Sequence, residues 1–233
     1  MLLSRPDILK HMNLGNILID PFQERNLGTN SYDITLGNYY FREQDSKGGL
    51  PIFNPFSRAS IERVWGKEPQ RAVPYFQFIQ DLNITALDGF IESDLIICLA
   101  PGETILAHTQ EFIGGRNCCT SEMKARSTLG RSFIEVCKCA GMGDVGYVNR
   151  WTMEITNNSC RHHIPLRTGM RVGQIKFYEV RPLEDDDYSV KGKYQTGTDL
   201  ETLKNSWVPY SMLPRLYSDY EIVGRKKEKL DSE

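Results

Sequence analysis

Trp151, Met153 and Ile155 alternate without interruption with Thr152, Glu154 and Thr156. A period of two places these sets on opposite faces of one pleated strand, one apolar and one polar. Glu154 stands at the centre of the polar face. It has two readings: a solvent-facing carboxylate on a half-buried antiparallel strand, or a general acid/base held in surroundings that raise its pKa. Spacing does not choose between them. The company upstream favours the second: a polar loop, Arg126-Ser127-Thr128-Leu129-Gly130-Arg131, and a glycine-punctuated turn, Gly141 to Tyr147, that carries Asp144.

Similar patterns recur on either side. Asn30 to Gly37 alternates and reads as a strand ending at Gly37. Asp33 inside it is unusual, because aspartate is disfavoured in strands; an exposed edge position and a buried hydrogen bond are equally open. Leu95–Leu99, Thr104–His108 and Arg171–Val180 are further short strands, with Pro101-Gly102 as a turn. Turn signals about every ten residues between such strands predict a β-sandwich or barrel. A few short helices accompany it. Ser4 caps one, with Pro6 and Asp7 in its first turn and Gly15 at its stop. Ser57–Trp65 offers another, and Thr198-Asp199-Leu200-Glu201 opens a third that ends near Ser206.

At 233 residues the chain reads as one domain over 1–223, with 41–94 as an insertion covering the body, 181–223 as a mobile C-terminal segment and 224–233 as a disordered charged tail. Gly48-Gly49 marks a loop, and Asp185–Asp187 an acidic turn. A net charge of −2 with scattered basic residues gives no basic face for nucleic acid. No apolar run approaches the ~20 residues of a membrane span, and no secretory pattern opens the sequence. The expectation is a cytoplasmic protein. Its six cysteines include Cys118-Cys119 and Cys137-x-Cys139 but no C-x-x-C, so buried free thiols are expected. Cys160 lies close to His162 and His163, a metal cluster to weigh against that. The signature of zinc deaminases is missing.

In this order and spacing the pieces resemble the dCTP deaminase family of the dCTP deaminase/dUTPase superfamily, over most of the chain. Pro6-Asp7-Ile8 and Asn30 to Gly37 look like the family's opening helix and first-strand motif, and Pro101-Gly102-Glu103 like its turn before the arginine loop. Residues 126–131 look like its Arg-Ser-Ser-Leu-(Ala/Gly)-Arg motif. Ala140 to Tyr147 resembles its Ala-His-Arg-Ile-Asp-Pro-Gly-Trp turn, and Glu154 falls where the family keeps its catalytic glutamate. Gly169 to Gln174 and Lys193-Tyr194-Gln195 match later motifs.

The resemblance implies a mainly β, distorted barrel or jelly roll of dUTPase type with a few short peripheral helices. It implies zinc-free deamination of a deoxycytidine nucleotide by a homotrimer whose sites lie between subunits. Glu154 would be the acid/base, Ser127 and the Ala140 carbonyl would orient water, and Arg131 would act on Glu154. Asp144 would accept from the sugar. Arg126, Thr128 and the amides of Leu129 and Gly130 would hold the triphosphate, with Mg²⁺ bound through the phosphates and not by protein side chains. Tyr147, Thr152, Met153, Tyr188, Lys193 and Gln195 complete the expected nucleotide contacts. The chain departs from the pattern at Gly141 (His in the family), Met142 (Arg), Val145 (Pro), Cys137 (often His) and Gly197 (Gln). Three activities stay open: deamination to dUTP, a dUTPase-type or bifunctional reaction reaching dUMP through Asp144, and silent nucleotide binding. So does the choice among dCTP, dCMP and a modified nucleotide.

Overall fold

The computed structural model describes residues 1–45, 51–183, 188, 192–195, 197 and 199–224. The acidic run at 185–187, the glycines at 48–49, Thr198 and the tail beyond Gly224 lie outside the described residues. The first helix, α1 (Arg5–Asn13), begins where the sequence predicts: Ser4 is extended, and Asp7 Oδ2 accepts from the Ser4 amide at 3.2 Å. After Gly15, which is left-handed, β1 (Ile17–Asp20) follows.

The strand predicted to stop at Gly37 runs five residues further, as β2 (Tyr32–Arg42). The glycine is required by contact. A Cβ at Gly37 would lie inside the His108 ring, which packs there from β6 (Thr104–Gly115). That strand also outruns its prediction. It ends on Gly114 and Gly115, where the backbones of Tyr147 and Cys119 come too close for a side chain.

Between β2 and β6 the chain holds more structure than expected. Helix α2 (Arg58–Trp65) is capped by Ser57, which accepts from the Ser60 amide. Then come β3 (Gln70–Arg71), β4 (Val73–Pro74), α3 (Tyr75–Asp81) and β5 (Leu95–Leu99). Past β6 lie β7 (Cys119–Ala125), α4 (Ser127–Arg131), β8 (Ile134–Glu135), β9 (Met142–Gly143), β10 (Val148–Asn157), β11 (Ile164–Arg167) and β12 (Arg171–Glu179). Helix α5 (Leu200–Ser206) is capped by Asp199, whose carboxylate accepts from the Thr202 amide.

Among the described residues, the larger antiparallel sheet runs β8-β10-β6-β2-β12-β7-β9, with β1 added at β6 and β3 at β2. The smaller sheet is β11-β5-β4. Strand β2 changes partner near Gly37, pairing with β12 over 32–35 and with β6 over 36–42, and this lets the sheet curl. Its inner face gathers Tyr32, Ile34, Ile105, Met153, Ile155 and Phe177, all fully buried. Each such side chain contributes about 1.5–3 kcal/mol. The fold is therefore mainly β, a curled barrel with short peripheral helices. No helix among the described residues is long and apolar enough to cross a membrane.

Asp33 takes the buried reading. Its carboxylate accepts from Arg171 Nη1 at 2.8 Å and from Gln174 Nε2 at 3.0 Å, with Arg126 Nε at 3.7 Å. The cysteines divide differently from expectation: Cys119 and Cys137 are buried, while Cys139 and Cys160 are exposed. His162 and His163 are exposed too. Among the described residues no metal-ligand cluster forms around Cys160.

Candidate active site

The alternation that begins at Trp151 sets the geometry. Trp151 is driven inward, and its indole Nε1 donates to the Ile113 carbonyl at 2.8 Å. The glycine turn is seated on that ring, since a Cβ at Gly143 would come within 2.5 Å of both Trp151 and Ser121 Oγ. Thr120 fixes the turn by donating to the Gly143 carbonyl at 2.7 Å. Tyr147 then stands edge-on to Trp151, and Tyr188 edge-on to Tyr147, each pair 5.2 Å apart. The chain enters this turn through Cys137, Lys138 and Cys139, three consecutive non-glycine residues in the left-handed region. That conformation is costly for side chains bearing a Cβ. Nothing in the sequence there marks it, because glycine and asparagine are absent.

Opposite faces of the strand now separate as predicted. Trp151, Met153 and Ile155 are buried, while Thr152 and Glu154 turn into a cavity of about 300 Å³. Ala140, Asp144, Tyr147 and Tyr188 line the same cavity. Its donor set contains two carboxylates, Asp144 and Glu154, and neither histidine nor cysteine. Glu154 Oε2 is buried with no hydrogen-bond partner among the described residues. Burial pushes its carboxyl above the ordinary carboxylate range, against its own backbone amide and the charge of Lys138. The buried Cys137 thiol is pushed up to about 11 by desolvation first and by the Glu154 charge second.

The structure adds residues that the sequence did not nominate. Asn149, Arg150, Tyr194, Trp207, Ser211 and Met212 complete the wall. Arg150 lies between two rings, with its guanidinium carbon 5.0 Å from the centre of Phe112 and 4.7 Å from that of Trp207. Its Nε is buried without a hydrogen-bond partner among the described residues. Asn149 Nδ2 donates to the Tyr194 carbonyl at 3.0 Å, tying the C-terminal segment to β10. Charge next to the alternating strand was the available signal for Arg150; Trp207 had none.

Other predicted residues lie elsewhere in the single chain. The arginine loop is the helical turn α4, with Ser127, Thr128, Gly130 and Arg131 exposed and none of them lining the cavity. Arg126 caps it, reaching Asp33 and, at 3.4 Å, the Arg171 carbonyl. The Leu129 and Gly130 amides, expected to bind phosphate, donate to the Arg126 carbonyl at 3.0 and 3.1 Å. Leu129 itself is in the core, as is the side chain of Met153. Arg131 does not act on Glu154 within one chain; the nearby cation is Lys138. Lys193 pairs with Asp219 and faces a smaller neighbouring cavity. Gln195 is committed to the chain's own backbone: its Oε1 accepts from Val148 N at 2.7 Å, and its Nε2 donates to Gly146 and Gly197 carbonyls, both at 2.8 Å.

The sequence matches the family model described as dCTP deaminase-like over residues 78–180. It is 27% identical over 189 residues to a dUMP-forming dCTP deaminase of Methanococcus maripaludis, covering 81% of this chain and 86% of that one. It is 26% identical over 199 residues to a dCTP deaminase of Haloarcula marismortui, covering 84% and 90%. Residues 78–180 are therefore dCTP deaminase-like. The 2′-deoxycytidine 5′-triphosphate deaminase of Agrobacterium tumefaciens superposes with a TM-score of 0.48 and 16% identity, spanning 75% of this chain and 45% of that one.

Its departures from the dCTP deaminase pattern have physical reasons. At Gly141, where the family carries histidine, a Cβ would come within 2.4 Å of the Met123 carbonyl oxygen, so this turn has no room for a ring. Met142 stands 72% exposed at the cavity rim, leaving no cation where the family has arginine. Val145 is buried, and its carbonyl accepts from the Tyr188 amide at 2.8 Å.

Proposed function

We propose that this chain hydrolyses the 4-amino group of a deoxycytidine nucleotide, converting dCTP to dUTP and ammonia, with Glu154 as the acid/base. The observation that carries the reading is the buried, unpartnered Glu154 Oε2 in the wall of a nucleotide-sized cavity. An acceptor with a raised pKa and no protein partner is suited to water. Water oxygen adds to C4 while its proton passes through Glu154 to N3. Glu154 then moves the hydroxyl proton to the amino nitrogen, the C4–N4 bond breaks, ammonia leaves and C4=O forms.

Ser127, Arg126 and Arg131 enter this site from a neighbouring subunit of a homotrimer. The absence of Arg126 to Arg131 from the lining of this cavity within one chain supports that arrangement, and Arg126 and Arg131 are suited to a triphosphate. Mg²⁺ is carried in on phosphate oxygens; two hard carboxylates around the cavity are too few for a protein-held cage. Asp144 takes the sugar hydroxyl, and the C-terminal segment closes over the nucleotide.

A second reading, deamination followed by loss of pyrophosphate to give dUMP, is favoured by Asp144 lining the same cavity as Glu154. It matches what the Methanococcus relative is named for. Incubation with dCTP, dCMP and dUTP plus Mg²⁺, following ammonia and pyrophosphate together, tests both. Ammonia alone supports the deaminase, both products support the bifunctional enzyme, and full ammonia release by Glu154→Gln overturns the assigned role. Tight nucleotide binding without either product would mark a silent regulator.

A further inference from the structure

Away from the cavity, the end of α1 meets the turn between β6 and β7. His11, 7% exposed, lies there against Cys118 and Cys119. One ligand atom from each of these three residues falls within 4.8 Å of the other two, and no other such group of three occurs among the described residues. Cys119 Sγ is 3.4 Å from His11 Nδ1. Two ligands on a tetrahedral zinc, with bonds of about 2.3 Å to sulfur and about 2.0–2.1 Å to nitrogen, stand about 3.6 Å apart. The Cys119–His11 spacing already matches.

The surroundings of the imidazole favour the tautomer a metal requires. Nδ1 faces two donors, the Asn16 side-chain amide at 3.1 Å and the Cys119 thiol, so its lone pair accepts. The ring proton is then on Nε2, which faces Glu179 Oε1 at 3.9 Å. A ligating histidine whose other nitrogen points at a carboxylate is the usual outer arrangement of zinc sites. Backbone bonds hold the parts in place independently of the cluster. Arg116 N donates to the Asn16 carbonyl at 2.7 Å, Val180 N to the Cys118 carbonyl at 2.8 Å, and Asn117 at the corner is left-handed.

We propose that His11 Nδ1, Cys118 Sγ and Cys119 Sγ bind a zinc-class divalent cation that fastens α1 to the β6–β7 turn, a structural site separate from the deaminase cavity. Two thiolates and an imidazole select such an ion over Mg²⁺. Binding replaces two S–H bonds with two metal–sulfur bonds and releases two protons to the buffer, while the two thiolates balance the ion's charge.

The test is a Co²⁺ titration of the reduced, metal-stripped full chain. A thiolate-to-cobalt charge-transfer band should saturate at one equivalent, with proton release, and Zn²⁺ should displace it and raise Tm. Glu179→Gln should weaken binding by about 10–100-fold, and Cys118→Ser or Cys119→Ser should weaken it further. The double variant Cys137→Ser/Cys139→Ser should keep the band. Thermal unfolding of each variant separates loss of the site from loss of the fold. Absence of the band in the wild-type chain overturns the proposal, as does a band that survives Cys118→Ser and vanishes with Cys137, Cys139 or Cys160.

Discussion

The guanidinium of Arg150 rests 4.7 Å from the centre of the Trp207 ring, so a residue of the cavity strand is held by one from the C-terminal segment. Arg150 lines the cavity, and the ring holds it in position. A cation–π contact of this kind is worth about 0.5–2 kcal/mol. Trp207→Ala is therefore expected to raise KM for dCTP by about 2–30-fold with kcat little changed, and Trp207→Phe to recover most of the loss. An unchanged KM in steady-state ammonia assays would mean that Arg150 does not meet the substrate.

Glu154 should show opposite signs for activity and stability. Its pKa is raised in the fold, so protonation favours the folded state. The stability it contributes is fully present below the ordinary carboxylate pKa and is lost as pH rises through the folded value. At neutral pH the ionised, unpartnered oxygen is a burden of on the order of 1–3 kcal/mol. Glu154→Gln should abolish deamination yet raise Tm by about 2–4 °C per kcal/mol relieved, with the gain shrinking in acid. Calorimetry at neutral pH and near pH 4 checks this; a lower Tm at both would show that the carboxylate is structurally satisfied.

What the sequence displays well is local. The alternation at 151–156, the cap at Ser4 and the short helices near 57–65 and 199–206 each act within a few residues, and all four reappear in the structure, the last of them capped by Asp199. Gly37 misled because glycine has two uses. Here it answers close approach by His108, a partner remote in sequence, and does not end the strand. The left-handed run at 137–139 had no glycine or asparagine to announce it. Trp207 and Arg150 lie 57 residues apart and meet only because β10 and the end of α5 converge. The site's carboxylates were thus legible from a strand pattern and a resemblance, while the cationic wall needed tertiary structure.

If a neighbouring subunit supplies α4, the two halves of a site can be complemented. Ser127→Ala and Glu154→Gln homotrimers should each be inactive. Subunits mixed under mild dissociating conditions and reassembled should regain ammonia release, because some interfaces then pair an intact Ser127 with an intact Glu154. Sedimentation would report the trimer in both parents. Failure to regain activity in demonstrably mixed trimers would require both residues from one chain.

Gln195 offers a test of how the C-terminal segment is held. Its amide serves Val148 N and the carbonyls of Gly146 and Gly197. Removing it in Gln195→Ala leaves the buried Val148 amide without that acceptor, at a cost of about 1–3 kcal/mol. The expected result is a lower urea midpoint together with faster proteolysis around residues 192–199. Direct nucleotide contact by Gln195 would instead raise KM with stability unchanged.

His108 should set the acid limit of the fold. It is 1% exposed beneath Gly37 and Trp207. Its Nδ1–H donates to the Thr109 carbonyl at 2.8 Å, and its Nε2 accepts from Tyr39 N at 3.3 Å. A proton added at Nε2 would face another donor, inside the core, with Arg150 nearby. Its pKa falls accordingly to about 4, through burial first and the Arg150 charge in addition, against the Thr109 bond. Because the unfolded chain takes up this proton near pH 6.5, stability is full above that value and falls as pH drops towards 4. The loss should reach about 3 kcal/mol at 1.36 kcal/mol per unit. Glu154 pulls the other way over the acid range, so the comparison must isolate one group. In the Glu154→Gln background, adding His108→Gln should flatten the fall in urea midpoint between pH 6.5 and 4, even if the absolute midpoint is lower. An equally steep fall in the double variant would place the acid sensitivity in other groups.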